Sequence, residues 1–182
     1  LCATEMELLE APKTGTGKTV LLDRFFNSEK RKDAGGKNDY WHYTWTEWSH
    51  PGFAFFGNRF TKYGAKLANL DVAPTAENLR KASVYIIVDP DHIKDNPQPN
   101  YMTPEYATVI SNWVKAGGVL LLMGNDSANC ELKQFNLLAG KFGISFTDVS
   151  RNMVKDDVFS MGEVTVPAHN AVFKQRRMFL KE

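Results

Sequence analysis

Runs of apolar residues alternate along this chain with amphipathic stretches of helical period. TVLLDRFF, Thr19 to Phe26, reads as a strand. After a polar stretch and an aromatic-rich loop, GFAFFGNRFTKYG places Phe53, Phe56, Phe60 and Tyr63 at i, i+3, i+7 and i+10, on one face of a predicted helix. AKLANLD is a predicted short strand and PTAENLRKA a short helix or turn. ASVYIIVDPD is a buried strand rich in β-branched residues. The clearest element follows, with Thr103 as cap, Pro104 at the first helical position, and Tyr106, Val109, Ile110, Trp113 and Val114 at i, i+3, i+4, i+7 and i+8. Gly117 and Gly118 end it.

GVLLLMGN then carries a five-residue apolar run of the kind buried on both faces of a parallel sheet. CELKQFNLLAGKFG is a helix with Leu132, Phe135, Leu138 and Phe142 inward, and ISFTDV a further strand. VTVP and MFLKE read as late strands, antiparallel at an edge. Leu1 to Ala11 is helix-compatible and stops before KTGTGKT, a stretch of linker composition. The expected organisation is therefore 1–16 as the tail of a preceding helical domain plus linker, and 17–182 as one α/β domain.

Alternating strands and helices with right-handed crossovers imply an open, mostly parallel sheet with helices on both faces, a three-layer flavodoxin-like sandwich. Such sheets bind ligands beyond the carboxyl ends of their strands, near the point where strand order reverses. That rule selects Asp23 and Asn27, then Asp89, Asp91 and His92, then Asn125, Asp126 and Ser127.

Each candidate also has a plainer reading. The cluster Asp89, Asp91, Asp95 and His92 suits acid–base chemistry, yet Asp-Pro and Asn-Pro are turn chemistry, and no second His stands at metal-ligand spacing. Ser127 or Cys130 could be a nucleophile after the GVLLLM strand, but no GxSxG elbow surrounds them, and Asp126, Ser127 and Asn129 suit capping of the next helix. His169 is a lone histidine in VPAHNAVF. TGTGKT ends like a phosphate-binding loop, but Pro12 stands where the first glycine belongs and the string precedes a strand instead of following one. YWHYTWTEW gathers Tyr40, Trp41, Tyr43, Trp45 and Trp48 with His42; it either packs as a loop's own small core or offers rings such as Trp41 and Trp45 to a sugar or partner.

Composition narrows the classes. Of 182 residues, 43% are apolar and 12% aromatic, enough for a core, and 22 basic against 21 acidic residues argue against nucleic acid or anionic lipid as a global partner. No apolar run approaches membrane-spanning length, and two cysteines 128 positions apart suggest neither a disulfide framework nor a metal knuckle. No metal and no cofactor is called for.

GKTVLLDRFFNSE, HYTW, ISNWVKAGGVLLLMGNDSANCELKQFNLLAGKFGISF and VTVPAHNAVF together resemble the C-terminal domain attached to unsaturated rhamnogalacturonyl hydrolases, glycoside hydrolase family 105, of gut Bacteroidetes. The likeness runs from about Gly17 onward, and LCATEMELL looks like the last helix of a preceding catalytic barrel. The domain is also similar to class I glutamine amidotransferase-like folds. The resemblance implies a periplasmic location and a parent enzyme that hydrates unsaturated uronides with acidic residues outside this chain. It places Gly124-Asn125 where amidotransferases carry their cysteine, and His169-Asn170 where related domains often carry His-Pro. The expected function is a non-catalytic accessory domain of a hydrolase acting on pectin oligosaccharides, partnered by the barrel and by uronic-acid oligosaccharide. Two alternatives stay open: a small hydrolase or amidotransferase-like enzyme at the strand ends, and a carbohydrate-binding module on the Trp41 to Trp48 loop.

Overall fold

Apolar side chains of the first and third sheet strands point alternately to opposite faces, and this alternation builds the molecule in three layers. The computed structural model describes residues 12–149, 154–167, 169 and 177–179. These divide into two compact units, one ending at Phe146 and one starting at Thr147. The predicted opening helix, Leu1 to Ala11, lies outside the described residues.

In the first unit, β1 (Thr19–Asp23) is followed by a short antiparallel hairpin, β2 (Lys30–Lys32) and β3 (Asn38–Tyr40). Then come α1 (Ala54–Lys62), β4 (Lys66–Leu70), α2 (Ala76–Leu79), β5 (Val84–Val88), α3 (Pro104–Lys115), β6 (Val119–Met123) and α4 (Leu132–Ala139). The main sheet has the order β4-β1-β5-β6 and all its pairings are parallel, with Val20 between Leu67 and Val84, and Val84 against Val119. Helices flank it in the flavodoxin-like manner, and the order reverses between β1 and β5.

Leu21, Tyr85 and Ile87 join Ile110, Phe135 and Leu138 on one face of the sheet. Val20, Leu22, Ile86 and Val88 meet Trp45, Phe53, Phe56 and Phe60 on the other. Each such fully buried aliphatic side chain contributes about 1.5–3 kcal/mol. The aromatic face of α1 is therefore core as its spacing predicts, except that Tyr63 ends the helix and is exposed.

The boundaries of α3 follow local chemistry. Thr103 Oγ1 accepts from the Tyr106 amide at 3.3 Å, and Pro104 occupies the first turn. Gly117 has φ 104°, and a Cβ on Gly118 would lie 2.3 Å from the Trp113 ring, so both glycines are required.

Three expectations are corrected. ISFTDV is not a strand: Asn136 of α4 donates to the Phe146 carbonyl at 2.9 Å and accepts its amide at 2.8 Å, taking both main-chain groups that a ladder would need. Consequently β6 is an edge strand, and its apolar run is half-buried, not covered on both faces. The late strands do not extend the main sheet. In the second unit β7 (Glu163–Thr165) and β8 (Arg177–Phe179) pair antiparallel with each other, as Val164 opposite Met178.

KTGTGKT forms a turn at the amino end of β1. The Gly15 amide donates to the Tyr63 carbonyl at 2.8 Å, and a Cβ there would come within 2.9 Å of that oxygen and of the Ala65 nitrogen. It lies before a strand, as its sequence context required, and at the end of the sheet away from the strand tips that follow.

Candidate functional site

Strands β1, β5 and β6 end side by side, and each exit is closed by a side chain. On β1, Asp23 Oδ1 accepts from the amides of Phe25 at 3.1 Å and Phe26 at 2.7 Å, which turns the chain out of the sheet. Its other oxygen accepts from the Tyr85 hydroxyl. Complete burial pushes Asp23 up to about 7, against the pull of these donors. Asp23, selected from the sequence as a candidate ligand residue, closes the turn after β1 and is not among the residues that line the cavity described below.

On β5, Asp89 ties three segments together. Its Oδ2 accepts from the Tyr43 hydroxyl at 2.5 Å, its Oδ1 from the Asn125 amide at 2.7 Å, and its carbonyl from Asn27 Nδ2 at 2.6 Å. Burial raises its pKa, partly offset by Tyr43 and Asn125. Burial and the bond to Asp89 hold Tyr43 above the ordinary phenol value, so the hydroxyl stays a donor. Three non-glycine residues here adopt positive φ: His42 at 66°, Tyr43 at 49° and Asp89 at 36°. Each such conformation costs on the order of 1 kcal/mol and persists only where its surroundings enforce it.

Two residues further on, Asp91 is 3% exposed. One oxygen, Oδ2, accepts from the Ser28 amide at 2.8 Å, the Ser28 hydroxyl at 3.2 Å and Asn96 Nδ2 at 2.6 Å. The other, Oδ1, is buried without a partner. Burial raises the Asp91 pKa, offset in part by Asn96 and Ser28.

The exits of β5 and β6 line a cavity of about 550 Å³. The loop after β1 supplies Asn27 and Glu29, the aromatic loop supplies Trp41, His42, Tyr43 and His50, and the strand ends supply Asp89, Asp91 and Asn125, with Asp95 and Asn129 at the side. Glu29 is pushed up to about 7 by burial and then by Asp91 and Asp95. Its Oε2 lies 2.8 Å from His42 Nδ1, out of line for a hydrogen bond. His42 is held low by burial and then by Arg31, which favours the neutral ring.

Of the residues selected from sequence, Asn27, Asp89, Asp91, Asp95, Asn125 and Trp41 line this cavity, and Asp23, His92, Asp126, Ser127 and Trp45 do not. His92 points its interactions into its own loop, its carbonyl accepting from the amides of Asp95 and Asn96. Asp126 closes a turn by accepting from the Ala128 amide and Asn129 Nδ2, with Ser127 exposed in that turn. The cap of α4 is Glu131, whose Oε2 accepts from the Gln134 amide at 2.7 Å; Asp126, Ser127 and Asn129 do not fill that place. His169 is exposed in a turn of the second unit, with φ 67°.

The aromatic string resolves mostly into packing. Trp45 donates its Nε1–H to the Ala68 carbonyl at 3.1 Å and packs on Phe53 and Phe56. Trp41 lies against His42, centroids 3.6 Å apart, and the Arg31 guanidinium stands 5.0 Å from its centroid. Trp48 is the exposed ring of the string, in edge contact at 4.8 Å with the exposed Phe55 of α1. Glu29 and His50 were not singled out in the sequence, and His42 and Tyr43 only as part of the aromatic string; the one signal for them is their place in the irregular stretch between β1 and α1.

Among the described residues no group of three or more His, Cys, Asp or Glu side chains could hold a metal ion, and no helix is long and apolar enough to cross a membrane. No family model matches this sequence, and comparison with curated proteins and with solved structures found no match.

Proposed function

We propose that this chain is a non-catalytic accessory domain of a hydrolase acting on unsaturated uronic-acid oligosaccharides, with a polar receptor cavity at its strand ends. The hydrolase context rests on the resemblance carried by GKTVLLDRFFNSE, HYTW and the α3–β6–α4 string. The observation that carries the non-catalytic reading is the state of Cys130, the thiol after β6. It is completely buried and pushed up to about 12 by burial and then by Asp89, the reverse of what an attacking thiolate needs. The strand-end carboxylates Asp23 and Asp89 are engaged in closing loops, and the resemblance puts Gly124-Asn125 where amidotransferases carry their cysteine.

Incubation of the chain with unsaturated rhamnogalacturonan disaccharide, following the double-bond absorbance, tests this. No loss of absorbance above the buffer rate is expected. Turnover that Glu29→Gln abolishes would establish instead an enzyme using Glu29, which sits near neutrality, for proton transfer.

A second reading concerns glycan contact. Trp48 and Phe55 are 58% and 67% exposed and adjacent, which suits stacking on a sugar face. Loss of retention on a pectin affinity gel by Trp48→Ala would support it; equal retention would remove it.

A further inference from the structure

We propose that the amino end of the main sheet is a docking face for the acidic segment that leads into it, residues 1–11, with Lys18, Lys62 and Lys66 receiving the carboxylates of Glu5, Glu7 and Glu10. This goes beyond the accessory-domain reading and does not rest on it.

The argument begins with a segregation of charge. The whole chain is nearly neutral, with 22 basic and 21 acidic residues. The stretches that lead into the four sheet strands, 12–18, 59–66, 80–83 and 115–118, hold eight lysines and arginines and no aspartate or glutamate. Because the sheet is parallel, all four stretches meet at its amino end.

Part of this excess has a local cause. Arg59, Lys62 and Lys115 stand in the last turns of α1 and α3, where a cation suits the helix dipole. Lys18 and Lys66 lie outside any helix, at the starts of neighbouring strands, where the Lys66 amide donates to the Lys18 carbonyl at 2.9 Å. Lys62 belongs to the same corner, since the next residue, Tyr63, accepts the Gly15 amide of the KTGTGKT turn at 2.8 Å. All three lysines are exposed, and among the described residues none has an ion-pair partner. The backbone of this corner is satisfied by the fold, and its charge is not.

The chain supplies the missing counter-charge at this very point. Residues 1–11 carry three glutamates and no lysine or arginine, and they join the fold at Pro12, directly before the KTGTGKT turn. Eleven residues reach at most about 40 Å when extended. Four strands spaced about 4.8 Å apart are only about 14 Å across, so every lysine of the face is within range. One exposed ion pair is weak. Tethering changes that, because a short linker holds the segment at an effective concentration in the mM range and lets three carboxylates act together.

Other occupants fit less well. A nucleic acid calls for arginine forks and a run of exposed rings, and the cluster at this corner is lysine alone. A membrane surface calls for an apolar row beside the cations. The exposed apolar residues of these stretches and the strand starts, Tyr63 and Val119, stand singly at opposite edges of the sheet.

Paramagnetic relaxation in the full ¹⁵N-labelled chain, with a nitroxide on Cys2 and the buried Cys130 left unmodified, tests the proposal. At about 10 mM salt the amides of Lys18, Lys62 and Lys66 are expected to relax at least about twofold faster than in the chain carrying Glu5→Gln, Glu7→Gln and Glu10→Gln together. Raising the salt to about 1 M shortens the screening length from about 30 Å to about 3 Å and is expected to remove the difference. Lys62→Gln with Lys66→Gln is expected to remove it too, while Lys133→Gln, the same change on exposed α4, leaves it in place. The proposal is overturned if the triple variant matches the parent at low salt, which would leave the face to another anion, or if salt has no effect. It is equally overturned if the enhancement passes from nitroxide-bearing to ¹⁵N-labelled copies in a mixed sample, which would put the segment on a second chain. Turnover of the unsaturated disaccharide would remove the non-catalytic reading while leaving this result untouched.

Discussion

The two ends of the main sheet are closed by different chemistry. At the amino end, KTGTGKT meets the α1–β4 junction through backbone bonds, with Gly15 fitted against main-chain atoms and Gly118 against Trp113. At the carboxyl end the closing groups are side chains, Asp23, Asp89, Asp91 and Asn96, and three non-glycine residues hold positive φ. One end is satisfied by the fold itself. The other spends polar side chains and backbone strain, and still leaves an Asp91 oxygen unpaired. That asymmetry is an energetic ground, separate from the general rule for open sheets, for proposing the carboxyl end as the functional one.

The sharpest break in the comparison comes from Asp23. Its removal by Asp23→Ala strands two amides and the Tyr85 hydroxyl in the core, and about 3–4 kcal/mol of stability should disappear in urea unfolding. Asp23→Asn should behave differently, because it mimics the protonated carboxyl. Asp23 sits at about 7 when folded and has an ordinary value of 3.8. Its favourable contribution is fully present below pH 3.8 and is lost as pH rises toward 7, where the unfolded chain has released the proton and the folded one still holds it. The parent should therefore lose stability across this window, and Asp23→Asn should flatten the slope and exceed the parent at pH 8. Glu29, Asp89 and Asp91, also raised, slope the same way, and His42, held low, slopes oppositely, so the parent-minus-variant difference is the quantity to read.

A smaller loss, about 2 kcal/mol, is expected for Gly15→Ala, whose new Cβ meets backbone on two sides. If the two ends are independent, this variant keeps the parent's affinity for cavity ligands; a parallel loss of binding would show that they are coupled. Tyr43→Phe removes one charge-assisted hydrogen bond and should cost about 1–2 kcal/mol, with a further rise in the Asp89 pKa visible by carboxyl-carbon NMR titration. The mildest test is chemical. Cys130 should resist a thiol reagent at pH 8 until the chain unfolds, and rapid labelling of the folded protein would contradict its burial.

The elements that the sequence made legible are those in which several local signals coincide. Thr103, Pro104, the helical spacing to Val114 and Gly117 agree on α3, and β5 is apolar at every position because it is covered on both faces. ISFTDV shows the limit of such reading. Its alternation is strand-like, yet a single Asn136 side chain takes its backbone groups, and no pattern within the six residues announces that. The β2–β3 hairpin was equally hidden, since KRK and NDY are polar and lie on the surface, where no face has to be hydrophobic.

The site divides along the same line. Asp89, Asp91 and Asn125 were legible because they directly follow apolar strands. Glu29, His42, Tyr43 and His50 reach the cavity by tertiary folding of an irregular stretch with positive φ, and periodicity carries no information there. Asp23 is the ambiguous case. A strand-end aspartate can serve a ligand or the turn beneath it, and Asp23 accepts from two amides of the turn after β1.

The most direct measurement follows the double-bond absorbance of unsaturated rhamnogalacturonan disaccharide incubated with the chain. No loss above the buffer rate is the expected result, and turnover that Glu29→Gln abolishes would contradict the non-catalytic reading.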